Sequence, residues 1–371
     1  MDLPLFKLED YFSKWEFKAP YLLCMSDSES WSLRDILELA KPETLKLWNN
    51  LSLGYTETVG HPLLRHEISQ MYSSITPENL LTFAGAEEGI YGTLQSILSP
   101  KDHVIVFTPC YQSLETLPKQ FGAEVTSIPL DANKGWKLDL EKLEAAIKPT
   151  TKLIILNFPH NPTGALIDRM TLNKIIEIAR RNQAYIFSDE VYRFLEIDET
   201  KRLPPLADVY EKGISLSVLS KTFGLAGLRI GWIASQDNEL LKQVANIKHY
   251  LSICNSAPSE ILALIALQSR DAILNKNREI MLKNLSLLDI FFEKYKAIFE
   301  WNRPLGGCIG FPRLLLPTKI DEFAMKLVDE QGVLLLPGNY YDWKGNYFRI
   351  GFGRKNMPEA LERLEKFFLK K

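Results

Sequence analysis

Lys221 follows the run Ser217-Val218-Leu219-Ser220 and opens a Ser-Lys-Thr-Phe-Gly turn. An amine at a strand end among apolar neighbours is placed for a lowered pKa, and a neutral amine attacks carbonyls. Asp189 closes YIFSD, where a carboxylate is costly unless it meets an arginine, a helix N-terminus or a protonated heterocycle. Tyr192 lies three residues further on. Asn161, in LNFPHNPTGA, projects an amide at the end of another apolar run. Arg229 follows Lys221 by eight residues and is placed to reach an anion beside it. Arg349 stands in YFRIGFG, and its planar fork matches a carboxylate in a bidentate manner.

Each group has a bland alternative. Most lysines are solvated surface residues. Asp189 could simply cap the next helix. Asn161-Pro162-Thr163-Gly164 is a turn sequence, because proline fixes φ and glycine allows it to be positive. Arg349 could form a structural ion pair. Taken singly, Lys221 and Arg349 favour the bland alternative. The ordered combination reverses that. At about 5% usage per residue, a string such as N-P-T-G arises roughly once in 10⁵ positions. Here SDEVY and then SKTFGLAGLR follow it in order.

The elements that must position these groups are legible as apolar runs: 80–85, 104–109, 124–130, 152–159, 185–190, 215–220 and 229–235. Most are apolar throughout, as strands buried on both faces are. Amphipathic stretches at 87–98 and 170–182 read as helices between them. The alternation predicts an α/β fold with a largely parallel sheet. Ligands of such sheets bind at the carboxyl ends of the strands, where the groups above fall. From Pro258 a single long helical stretch is expected to about Phe299, then short strands at 309–317, 332–338 and 347–353. A helix is expected near 319–331 and another after Pro358. The expected division is an N-terminal segment (1–40) packing on a small domain, a large domain (41–260) and a small α+β domain (261–371).

Bulk properties exclude several classes. With 371 residues, 46% apolar and 24% charged, the chain is ordinary for a globular protein of two lobes. A formal net charge of -2 offers no basic surface for nucleic acid or membrane. Four scattered cysteines form no metal-ligand spacing and fit a reducing compartment. The start of the chain lacks the basic and apolar regions of a signal peptide, so a cytoplasmic location is expected. The glycine fingerprint of a nicotinamide oxidoreductase is missing, as are the phosphate loop of nucleotidases and the G-x-S-x-G elbow. His66-Glu67 opens like a zinc-protease motif, but Gln70 stands where the second histidine belongs.

Over almost the whole chain, from about Tyr55 to Arg349, the order and spacing of these motifs resemble the class I/II aminotransferases of pyridoxal-phosphate (PLP) fold type I. The resemblance implies a seven-stranded, mostly parallel sheet sandwiched by helices, PLP as cofactor, and transamination between an amino acid and a 2-oxo acid by a ping-pong route. It makes Lys221 the Schiff-base lysine that later moves the proton. Asp189 becomes the partner of the pyridine nitrogen. Asn161 and Tyr192 become hydrogen-bond partners of the ring hydroxyl oxygen. Arg229 binds the phosphate, and Arg349 grips the substrate carboxylate with Asn161 nearby. Weaker matches are Gly85, Ala86 and Glu87 at a phosphate-cupping helix start, Ser220 beside the phosphate, and Tyr111 stacked on the ring. Tyr55 matches a tyrosine that reaches the phosphate of a neighbouring subunit, which implies a homodimer with shared sites.

The chain also departs from the family pattern. Val218 stands where many members carry a serine, and Glu87 sets a carboxylate beside a dianion, so its side chain is expected to turn away or meet a cation. The segment at 21–33 lacks the usual glycines, which makes Ser26, Asp27, Ser28 and Trp31 candidate substrate-side residues. It also keeps other PLP reactions open, namely C–S lyase, decarboxylase or cyclase. A PLP-binding regulator is disfavoured, since no room precedes Tyr55 for a DNA-binding domain.

Overall fold

The computed structural model describes residues 3–369. Its first elements are a helix, α1 (Lys7–Trp15), and a short strand, β1 (Tyr21–Leu22). The large sheet comprises β2 (Leu80–Phe83), β3 (His103–Thr108), β4 (Glu124–Pro129), β5 (Thr151–Asn157), β6 (Tyr185–Asp189), β7 (Gly213–Val218) and β8 (Gly231–Ser235). All seven apolar runs read from the sequence are these strands. Their order across the sheet is β2-β8-β7-β6-β5-β3-β4. Only β8 runs against its neighbours; the other pairings are parallel.

Side chains alternate across a strand, and here both faces are apolar. Val104, Val106, Leu153, Ile155, Phe187 and Leu216 pack into one core. Ile105, Phe107, Ile154, Leu156 and Ile186 pack into another on the opposite face. β2 and β4 are the two edges; β4 is the more exposed and is ended by Pro129, where no ladder donor is needed. The connecting helices start on local caps. The Asp168 carboxylate accepts from the Thr171 amide at the Arg169–Arg181 helix, and Asp237 accepts from Leu240 at the Asn238–His249 helix.

The long C-terminal helix expected as one piece is two: Ala257–Gln268 and Arg270–Lys294. Ser269 leaves helical geometry and its hydroxyl donates to the Leu39 carbonyl. The first piece is apolar all round and buried in a third core, while the second carries charges, so a change of axis serves both. The second piece ends at Lys294, and Phe299 already lies in a two-residue strand.

The N-terminal segment is tied to the last third of the chain. β1 pairs in parallel with Val333–Leu334. The Gly351 amide donates to the Leu23 carbonyl at 2.8 Å. A side chain at Gly351 would sit 1.8 Å from the Met25 carbonyl oxygen, so only glycine lets the two backbones approach.

Candidate active site

Because β3, β5, β6 and β7 are parallel, their carboxyl ends share one edge of the sheet. Register places Asn157 beside Asp189, and Asp189 beside Leu216. The segments that follow these ends line a single cavity of about 540 Å³. Asn161, Asp189, Tyr192, Ser220, Lys221, Arg229 and Arg349 all open into it, with Ala86, Glu87 and Tyr111.

Lys221 is half-buried, and its Nζ donates to the Ser26 hydroxyl at 3.0 Å. Burial lowers its pKa; the Asp27 charge opposes that and the Arg349 charge adds to it. Asp189 is 5% exposed, and burial pushes its carboxyl up to about 7. It accepts only the Val191 amide, at 3.2 Å, and has no ion-pair partner among the described residues. The Asn157 side chain fixes the same turn by donating to the Asp189 carbonyl at 3.0 Å. Tyr192 is 1% exposed, yet its hydroxyl has no hydrogen-bond partner among the described residues.

At the other end, Arg349 is fully enclosed. Its Nε donates to the Cys24 carbonyl at 2.9 Å, and Nη1 donates to the Tyr341 hydroxyl at 2.6 Å. That hydroxyl donates in turn to Asn161 Oδ1 at 3.0 Å. Tyr341 was not read from the sequence. It stands in a short helical turn, 180 residues from Asn161, with no motif around it.

A third corner suits an anion. Gly85, at φ 98°, precedes the Ala86–Ile97 helix, whose first amides have no intrahelical partners. Arg229 reaches it from a left-handed turn (φ 52°), with Nη1 3.5 Å from the Ser220 hydroxyl. Val218 lines the cavity where a serine was missing from the pattern. Of the two outcomes expected for Glu87, meeting a cation is not the one found among the described residues. It accepts from Ser113 at 3.0 Å, and burial pushes its carboxyl up to about 7, which favours a neutral acid beside an anion.

Of the four proposed substrate-side residues, Ser26 and Asp27 line the cavity. Ser28 and Trp31 do not, and Trp31 instead lies under Lys276 with Nζ 3.6 Å from its ring centre. Tyr55 is 89% exposed and outside the cavity. Helix α1, which carried no motif, brings Leu8, Glu9, Phe12 and Glu16 over the opening. Its Glu9 accepts from the Tyr111 hydroxyl at 2.9 Å, and its Phe12 ring lies 5.6 Å from the Arg349 guanidinium.

The chain belongs to the class I and II aminotransferases: that family's profile matches residues 28–364. It is a PLP-dependent enzyme of the transaminase class. The (5-formylfuran-3-yl)methyl phosphate transaminase of Methanocaldococcus jannaschii is 33% identical over 330 residues, 85% of this chain and 84% of that protein. Capreomycidine synthase of Streptomyces vinaceus is 28% identical over 353 residues, 94% of this chain and 90% of that one. A PLP-dependent aminotransferase from Streptococcus suis superposes with a TM-score of 0.94 at 35% identity, covering 100% of this chain and 99% of the other.

The residues present fit that cofactor. The corner at Gly85, Ser220 and Arg229 offers donors to a phosphate. Asp189 lacks the cation that a protonated pyridine would supply, and Tyr192 lacks an acceptor or donor that a ring hydroxyl would supply. No helix among the described residues is long and apolar enough to cross a membrane.

Proposed function

We propose that this chain moves an amino group between an amino acid and a 2-oxo acid by a ping-pong route, with Lys221 as the proton carrier. One observation carries the proposal: a single cavity holds the Lys221 amine, the unpaired Asp189 carboxylate and the Arg349 fork. When bound, PLP supplies a sink for the electron pair left on the substrate α-carbon. Asp189 would pair with the pyridine nitrogen and favour its protonated form, since a cation there offsets the cost of burying the carboxylate. Tyr192 and Asn161 would hold the ring hydroxyl oxygen, while Ser220, Arg229 and the amides after Gly85 would hold the phosphate. Arg349, oriented by Tyr341 and Cys24, binds the substrate carboxylate and so aims the α-hydrogen at Lys221 Nζ. Lys221 takes that proton and returns it one carbon away, its lowered pKa making the neutral amine available.

The test is spectroscopic. Purified protein with PLP is mixed with an amino-acid panel, and the yellow absorbance is followed. Bleaching by a donor, reversed by a 2-oxo acid, supports the proposal. Full turnover with no 2-oxo acid requirement favours the second reading, a lyase, decarboxylase or cyclase reaction on an amino acid. The near full-length likeness to a synthase gives that second reading its support.

The proposal includes a homodimer. Leu53, Tyr55 and Tyr250 are 84%, 89% and 84% exposed, Leu251 and Ile253 are also open, and Leu53 and Tyr55 share a groove with Cys254 and Pro258. Such a patch suits a second copy. Sedimentation at micromolar concentration tests it, a monomer counting against it. A cytoplasmic location belongs to the same reading, supported by four free cysteines.

A further inference from the structure

Two carboxylates at the cavity mouth form no ion pair among the described residues. Glu16, the residue that ends α1, is half-buried, and its carboxylate makes neither hydrogen bond nor ion pair among the described residues. Glu9, two helical turns earlier, accepts only the Tyr111 hydroxyl. Behind them lies Asp27, which takes Arg354 Nε at 3.1 Å and Nη2 at 2.8 Å. Arg354 is therefore committed, and its charge is matched. Burial raises the Glu16 carboxyl; Arg354 and, less, Lys221 oppose this, and the charges of Asp27 and Glu9 add to it, so the three acids share one field.

The remaining cations of the cavity are all spoken for by the reading above. Lys221 is the reacting amine, Arg229 faces the phosphate corner, and Arg349 faces the substrate carboxylate. A second substrate carboxylate would thus arrive beside Glu9 and Glu16 with no free cation to receive it. The Tyr192 hydroxyl, buried and unpartnered in the same cavity, marks where the cofactor ring sits, and Glu9 and Glu16 line the cavity on the α1 side.

We infer that Glu16, with Glu9, selects an amino acid whose side chain ends in a cation, an ammonium or a guanidinium. The inference deepens the proposed transaminase site and rests on Arg349 holding the α-carboxylate. The substrate then spans the cavity, carboxylate on Arg349 and cation at the α1 carboxylates. A charge-assisted hydrogen bond there is worth about tenfold or more in affinity. Dicarboxylic donors are disfavoured by the same field.

Binding is measured first, with probes that lack the α-amine and so cannot react through the α-carbon; an unchanged cofactor spectrum verifies that the terminal amine has not condensed with PLP. Calorimetry on the holoenzyme compares 5-guanidinopentanoate and 6-aminohexanoate with neutral hexanoate. One cationic probe is expected to bind about tenfold tighter than hexanoate, and its identity separates guanidinium from ammonium. Glu16→Gln is expected to erase the difference while leaving hexanoate within about twofold, with Glu9→Gln giving a smaller loss. The donor panel follows, with arginine, lysine, ornithine, norleucine, aspartate and glutamate. A cationic donor is expected to have the lowest KM, and Glu16→Gln to raise that KM with kcat little changed. Equal binding of hexanoate and both cationic probes, or aspartate or glutamate as the best donor, overturns the inference. If no donor bleaches the cofactor, transamination fails while the calorimetric arm still decides the cation site.

Discussion

Arg349 donates to the Tyr341 hydroxyl at 2.6 Å, so the orientation of a buried guanidinium depends on a phenol from a neighbouring turn. Removing that hydroxyl leaves the charge in place but frees its angle. Tyr341→Phe is expected to raise KM for α-carboxylate donors roughly threefold to tenfold, the worth of one hydrogen bond, with a smaller change in kcat. Steady-state kinetics with two donors checks it. An unchanged KM would mean that Arg349 holds its position without the phenol.

Lys221 is expected to be the one site of covalent attachment. Borohydride treatment of the wild type should leave the cofactor on the peptide containing Lys221 after denaturation. Lys221→Ala should release it all while keeping its far-ultraviolet circular dichroism. A labelled peptide elsewhere in the variant would refute the assignment.

Asp189 has a consequence for stability as well as for catalysis. Burial raises its folded pKa to about 7, above the usual carboxylate value. The folded state thus binds a proton more tightly than the unfolded chain does. Its contribution is best at low pH and is lost as pH rises from about 4 through about 7, up to about 4 kcal/mol. Cofactor-free Asp189→Asn is expected to melt higher than the wild type at pH 8 and to match it near pH 4. Glu87 titrates in the same window with the same sign, so the variant keeps part of the pH dependence. Calorimetric melting across that range is the check, and a variant less stable at pH 8 would contradict it.

Gly85 faces the tip of Arg229, where a Cβ would lie 2.3 Å from Nη2. The arginine can swing away, but then it leaves the phosphate corner, and an alanine is also strained at φ 98°. Gly85→Ala is expected to weaken PLP binding at least about tenfold, since a charged hydrogen bond is lost. Equilibrium dialysis measures it, and inorganic phosphate should compete less well with the variant than with the wild type.

Sequence order made the strands and their terminal groups legible, because each local run carries its own apolar signature and stops at a polar residue. Asp189, Asn161 and Lys221 could be found that way. Tyr341 could not, since its partner Asn161 is 180 residues away and nothing local marks the contact. Glu9 and Glu16 look like any solvated face of an amphipathic helix, and only the docking of α1 over the cavity gives them a role. The break at Ser269 was hidden for the opposite reason: the apolar pattern continues through it, and the hydroxyl contact with Leu39 lies far off in sequence. Trp31 misled because an aromatic near a functional segment has two faces to offer, and here Lys276 covers one.

The β1 pairing with Val333–Leu334, the Gly351 contact with Leu23 and the Arg349 bond to Cys24 stitch the first residues to the last third of the chain. The roof of the cavity and the clamp for the substrate carboxylate are therefore held by one set of contacts. The span from Arg349 to the α1 carboxylates is set by that stitching and not by the strand that carries Lys221, so changing the stitches changes the length of ligand that the cavity takes.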